Sequence, residues 1–183
     1  MHFCVEARVD ASMAENGASA GIAGEVVYGH DRASVISVYQ YQCHMSIGNI
    51  HEAEWAAVLI AACYMNSCEM NWLIRRNANG SSVRASIHTD RNCNLPRLSS
   101  CMAFYSWNFR RMYGVELDVR HMHRTEDWMV QQNARARAAR ELPLGTAVAN
   151  GYPWMQSVRP ITWEHVCSPI TVVVPSNQWM PRI

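Results

Sequence analysis

At His51 the hydrophobic period of this chain changes from two to nearly four, which restricts it to folds that mix strands with helices. Before that point, Val5–Asp10, GIAGEVVYG (21–29) and SVISVYQYQ (34–42) read as strands, the last two rich in β-branched and aromatic residues. A loop of Ala, Ser, Gly and Asn (11–20) and a His30-Asp31 turn link them, so three antiparallel strands are predicted. From His51 to Met65 the sequence is alanine-rich, with Trp55, Leu59 and Cys63 at every fourth position and Ala62 beside them, and a helix is predicted. A polar, glycine-containing loop (77–82) then leads to a strand that runs from Val83 to Thr89. Pro96 suits the first turn of a second helix, which carries Leu98, Met102, Tyr105 and Phe109 and stops near Gly114. VELDVRH (115–121) is a fifth strand. A third helix follows, with Thr125 as its cap, Glu126 and Asp127 in its first turn, and an end near Glu141. The predicted order is β-β-β-α-β-α-β-α: a five-stranded mixed sheet flanked by helices.

Composition narrows the class. With 183 residues, half of them apolar, the chain fits one globular domain, placed at 1–141, followed by a Pro- and Trp-rich extension or linker at 142–183. Within the extension, ITVVVPS is a candidate extra strand, and the extension would suit a chain cut from a larger polypeptide. No apolar run approaches the length of a membrane-spanning helix, and the N-terminus lacks the basic and apolar regions of a secretory signal. Seven cysteines without a C-x-x-C pair predict reduced thiols, hence a cytoplasmic or nuclear setting. All sixteen basic residues are arginine, a bias that a GC-rich coding sequence would produce. Their distribution says more. Residues 1–72 hold two Arg against eight acids, whereas 73–140 hold twelve against five. A basic half beside an acidic half suits a polyanion on one side and metal ions on the other.

Three acids stand at informative places: Asp10 at the end of the first strand, Glu54 near the start of the first helix, and Asp90 where SIHTD leaves its strand. Singly, each has an ordinary structural explanation, because Asp opens turns and acids favour the first turn of a helix. Jointly, VDAS (9–12), GIAGEVV (21–27), NIHEAEWAAVLIAA (49–62) and IHTD (87–90) resemble the ribonuclease H family, in order and with matching intervening elements. Glu54 with Ala57 fits that family's first-helix spacing of Glu and Ala; Glu52 does not, since Trp55 takes the alanine place. The resemblance covers about residues 3–141.

The resemblance implies a ribonuclease H-like fold in which the first and fourth strands are parallel neighbours and bring Asp10 and Asp90 together, with Glu54 reaching them. Crowded carboxylates raise one another's pKa unless cations neutralise them. Two Mg²⁺ (or Mn²⁺) ions are implied, with hydrolysis of the RNA strand of RNA–DNA hybrids as the activity. The family's fourth acid, on the last helix, has small residues at +3 and +6. Asn133, with Ala136 and Ala139, fits that pattern, so an amide takes the fourth metal position, where it would hold the second metal less tightly and weaken or inactivate the enzyme; Gln131, whose +6 residue is Arg137, fits less well. Asp127 would be an alternative source of charge. A family histidine ten residues earlier corresponds to His123; His121 belongs to the Gln131 alignment. Ser12, Asn16, Asn49 and Arg91 are the implied substrate contacts. Arg97, Arg110 and Arg111 are further basic residues nearby, Arg135 and Arg137 are expected to face solvent, and His88 is expected to pack in the core. The amide at 133 leaves open a non-catalytic nucleic-acid-binding module or scaffold, and a related nuclease acting on DNA structures is a further alternative.

Overall fold

The structure, a computed structural model, describes residues 2–30, 34–91 and 96–151. Its elements are β1 (His2–Met13), β2 (Ala20–Gly29), β3 (Ile36–Met45), α1 (Ile50–Met65), α2 (Cys68–Ala78), β4 (Ser82–Thr89), α3 (Pro96–Tyr113), β5 (Leu117–His121), α4 (Asp127–Ala139) and β6 (Ala147–Gly151). They form one mixed sheet in the order β5-β4-β1-β2-β3-β6. β1, β2 and β3 are an antiparallel meander, and β4 and β5 add in parallel beside β1. This is the ribonuclease H-like arrangement, with the first and fourth strands adjacent at the centre.

The sheet has six strands where five were expected. The sixth, β6, pairs antiparallel with β3 from Tyr39↔Gly151 to Cys43↔Ala147, so the sheet continues past residue 141. His44 ties down the connection: its ring contacts the Leu142 carbonyl at 2.6 Å and Ser19 Oγ at 2.9 Å, and its backbone N–H donates to Thr146 O. ITVVVPS lies outside the described residues. A second correction is α2, which no reading of the sequence had placed. Ser67 caps it, accepting from Met70 N at 3.2 Å, and Met70, Leu73, Ile74 and Ala78 are buried. Asn79 ends it in the left-handed region at φ 43°. A third concerns α4: Glu126, not Thr125, stands at its N-cap.

The two faces of the sheet differ in chemistry, following the strand alternation. On one, Phe3, Val5, Ala7, Val9 and Ala11 of β1 build an apolar core with α1. Thirteen consecutive residues of α1, Ala53 to Met65, are buried, as fits a helix covered on all sides. Tyr41 of β3 lies across Gly24 of β2, where a Cβ would come within 2.2 Å of its ring, and its hydroxyl donates to Ala57 O of α1 at 2.7 Å. On the other face α4 packs directly on β2: a Cβ at Gly21 would lie 2.1 Å from the Ala136 carbonyl. This interface is polar. Arg135, expected to face solvent, is turned inward; it donates to Gly24 O at 3.2 Å and to Gln132 Oε1 at 3.0 Å, while Gln42 donates to its carbonyl at 2.9 Å. Arg8, 3% exposed, lies against the Trp128 ring on the same face.

Candidate metal centre

Strand register sets two of the three acids. The parallel ladder between β1 and β4 ends at Arg8↔His88, so Asp10 and Asp90 each stand two residues past the last pair. β1 itself does not end at Asp10, as the sequence suggested, but continues beside β2 to Met13↔Ala20. Asp10 is therefore held by a strand neighbour, Ala23, while β4 has already turned away. The third acid comes from α1. Asn49 caps that helix, its Oδ1 accepting from His51 N at 2.8 Å, and Glu54 follows on a face turned to the rim of the sheet.

Asp10 is 1% exposed, Glu54 0%, and the Asp90 side chain 3%. One carboxylate oxygen from each lies within 4.8 Å of the others. Their present partners are few. Asp10 Oδ1 accepts from Ala11 N at 2.9 Å, and Glu54 Oε2 accepts from the Thr89 hydroxyl at 3.2 Å. Asp90 Oδ2 accepts from Arg124 Nε at 2.6 Å. Arg91 Nε lies 3.6 Å from Glu54 Oε1. Burial and then the Asp90 charge push Asp10 up to about 6. Burial, then the charges of Asp10 and Asp90, push Glu54 higher still. Without a cation, the cluster resists full ionisation.

The donor set fits a hard divalent ion. All three groups offer oxygen, and Glu54 Oε1 and Asp90 Oδ1 are buried without a hydrogen-bond partner. A dication would supply the missing partner and remove the repulsion that raises Asp10 and Glu54.

The remaining candidates are distributed around this cluster. His123 is exposed, with Nδ1 2.8 Å from the Thr125 hydroxyl, and lines an open depression with Asp90, Arg91, His51, His121 and Arg124. His121 donates through Nε2 to the Asp90 carbonyl at 3.1 Å. Asn133 is half-buried on α4, and makes no hydrogen bond to the three carboxylates among the described residues. Ala136 and Ala139 of its helix are buried, whereas Gln131, Ala134 and Arg137 are exposed. Ser12 is half-buried on β1. Asn16 closes the β1–β2 turn by accepting from Ala18 N at 2.9 Å, and Asn49 is the α1 cap. The loops that carry these two asparagines touch, since a Cβ at Gly48 would lie 3.4 Å from Gly17 O. Elsewhere, His88 is buried with Nε2 3.0 Å from Ser86 Oγ. Arg110 pairs with Glu116, and Arg111 stacks on Trp107.

Sequence reasoning missed Arg124, the direct partner of Asp90, and gave the Thr89 hydroxyl no role. Arg124 adjoins His123 in the loop that the resemblance placed over the site, and that adjacency was the available signal.

No protein-family model matches the sequence, and no curated protein does. Among solved structures, the chain is similar to LC11-RNase H1, isolated from compost by a metagenomic approach and determined with an RNA/DNA hybrid. That likeness has 14% identity, covers 74% of this chain and 92% of that one, and has a TM-score of 0.45. RNase H1 from the archaeon Halobacterium salinarum is 16% identical over 74% and 93% of the two chains, at a TM-score of 0.37. The protease-reverse transcriptase of prototype foamy virus is 11% identical over 78% of this chain and 21% of its own, at 0.42. The fold rests on the chain's own strand order and registers, and not on likenesses of this size.

Proposed function

We propose that the chain is a divalent-metal-dependent endonuclease that hydrolyses the RNA strand of RNA–DNA hybrids. The observation that carries the reading is the buried convergence of Asp10, Glu54 and Asp90, with ligand oxygens within 4.8 Å of one another. Buried oxygens without a hydrogen bond, on acids whose protons are hard to remove, have little structural use and fit a site built for cations.

In this reading Asp10, Glu54 and Asp90 hold Mg²⁺ or Mn²⁺ ions, two in all, with Asn133 offering a neutral oxygen at the fourth position. Such ions supply an activated water and stabilise charge on the leaving oxygen. The protein's part is to orient and exclude. Thr89 holds Glu54 by its hydroxyl, and Ala11 N–H holds Asp10. His123, exposed beside Asp90, takes and releases protons at its free nitrogen. Ser12, Asn16 and Asn49 contact the sugar-phosphate backbone, where discrimination of RNA from DNA rests on the 2′-hydroxyl. Arg91 neutralises phosphate near Glu54.

One observation favours a second reading. Asn133 brings no charge to the fourth position, which suits a module that binds hybrids without cleaving them, within a larger polypeptide or assembly. A labelled hybrid incubated with Mg²⁺ or Mn²⁺, beside RNA–RNA and DNA–DNA duplexes, decides between them. Cleavage confined to the hybrid supports the nuclease. Binding without cleavage, by both this chain and Asn133→Asp, supports the module.

A further inference from the structure

We infer that Arg124 is a resident cation of the acid cluster: it holds Asp90 until a divalent ion displaces it, and then takes the substrate's phosphate. The inference rests on the metal-binding reading above. Its basis is the geometry at Asp90. Arg124 Nε donates to Oδ2 at 2.6 Å, and the contact is one-pronged, leaving Oδ1 buried without a hydrogen-bond partner. Arginine–carboxylate pairs frequently engage both oxygens through two parallel bonds. Here one oxygen is left for something else.

The two partners also differ in exposure. The Asp90 side chain is 3% exposed, while that of Arg124 is 55% exposed. The root of Arg124 is fixed, because Met122 N donates to Thr89 O at 2.8 Å and Glu126 N to His123 O at 3.0 Å on either side of it. Only the side chain is free to swing. Arg91, 3.6 Å from Glu54 Oε1, makes a second such contact, so two guanidiniums stand against three acids. A half-exposed ion pair is a weak competitor for a carboxylate that two others would help to bind a dication. Once released, the Arg124 fork remains in the depression shared by His51, Arg91, His121 and His123, which Asp90 also lines and where a phosphodiester at the acids would meet it. Its planar donors suit phosphate better than an ammonium would.

The test uses the full chain and two probes. Mn²⁺ is titrated by calorimetry into wild type, Arg124→Gln, Arg124→Lys and Asp10→Asn, without nucleic acid. A fluorescent RNA–DNA hybrid is then titrated in Ca²⁺ by anisotropy at several salt concentrations. Arg124→Gln is expected to bind Mn²⁺ about 1.5- to 5-fold more tightly, the size of a half-exposed ion pair removed. It is expected to bind the hybrid more weakly, with a salt slope reduced by about one. Arg124→Lys should fall between. Unchanged or weaker Mn²⁺ binding by Arg124→Gln, or unchanged hybrid binding and slope, overturns the inference. If wild type binds Mn²⁺, Asp10→Asn does not, and Arg124→Gln equals wild type, only this inference falls. If wild type itself fails to bind Mn²⁺, the metal-site reading falls with it.

Discussion

Asp10 and Asp90 stand abreast, each two residues beyond Arg8↔His88, the last pair of the parallel ladder that joins β1 to β4. The relationship explains why two carboxylates separated by eighty positions meet: parallel neighbours end at the same rim, and whatever follows the last pair is delivered there together. Their proximity stores repulsion in the folded protein, which gives the cluster a signature in stability as well as in activity.

Asp10→Asn should therefore separate the two. In chelator, removing one charge from the buried cluster is expected to raise the melting temperature by about 2–4 °C, equivalent to ~1 kcal/mol for a chain of this size. The variant should lose the further rise that Mg²⁺ gives wild type, and lose at least ~100-fold in hybrid cleavage, more than an outer-shell change costs. Differential scanning calorimetry with and without Mg²⁺ checks the first two effects. A lower melting temperature in chelator would contradict the repulsion.

The pH dependence has the opposite sign from that of salt-bridged acids. Asp10 and Glu54 hold their protons to higher pH in the folded state than in the unfolded chain. The folded state then binds more protons between the ordinary carboxylate range and the raised values, so this contribution is present at low pH and lost as pH rises. Metal-free wild type should lose more stability than Glu54→Gln between about pH 5 and about pH 8. Mg²⁺ at a hundred times its Kd should restore about 2.7 kcal/mol. Urea melts of both proteins at the two pH values measure the difference.

Asn133→Asp adds a charge at the fourth position. Half-saturating Mn²⁺ for cleavage is expected to fall about tenfold, a change of ~1.4 kcal/mol. Cleavage assays across a Mn²⁺ series test this; no change would place Asn133 outside the metal's reach.

Gly21→Ala probes how α4 is seated. The added Cβ would lie 2.1 Å from Ala136 O and 2.8 Å from Arg140 N, so the helix must shift as backbone. A loss of about 1–3 kcal/mol is expected from overpacking. Cleavage should fall with it, since the same helix carries Asn133. Denaturant melts and activity of the folded fraction read both effects.

Tyr41→Phe removes the donor to Ala57 O, in a fully buried contact between β3 and the helix that carries Glu54. Ala57 O keeps its intrahelical bond from Ala61 N–H, so losing this second bond should cost about 0.5–1.5 kcal/mol, visible as a lower midpoint in urea with an unchanged slope.

Much of this architecture was legible residue by residue. The alternation in β1 and the four-residue spacing of Trp55, Leu59 and Cys63 identify elements because neighbours along the chain set those periods. The signals for α2 were also present, in Ser67 as a cap and in Met70, Leu73 and Ile74 at helical spacing, but the polar residues between them hid the pattern. β6 was not legible. AVANG has no pattern of its own, and becomes a strand only because β3 offers an open edge and the His44 contacts bring the chain back to it.

The sequence by itself determined the kinds and order of most elements and which acids they bring to the site, because helix period, strand alternation and caps depend on residues a few positions apart. Only the tertiary structure decided that β1 outruns β4 beyond Arg8↔His88, that Arg124 rather than another arginine turns back to Asp90, and that Asp10 and Glu54 resist ionisation. Those properties arise from charge and burial across space. A long side chain's partner, or a carboxylate's proton, is set by what the fold brings within a few ångströms, which no local pattern encodes.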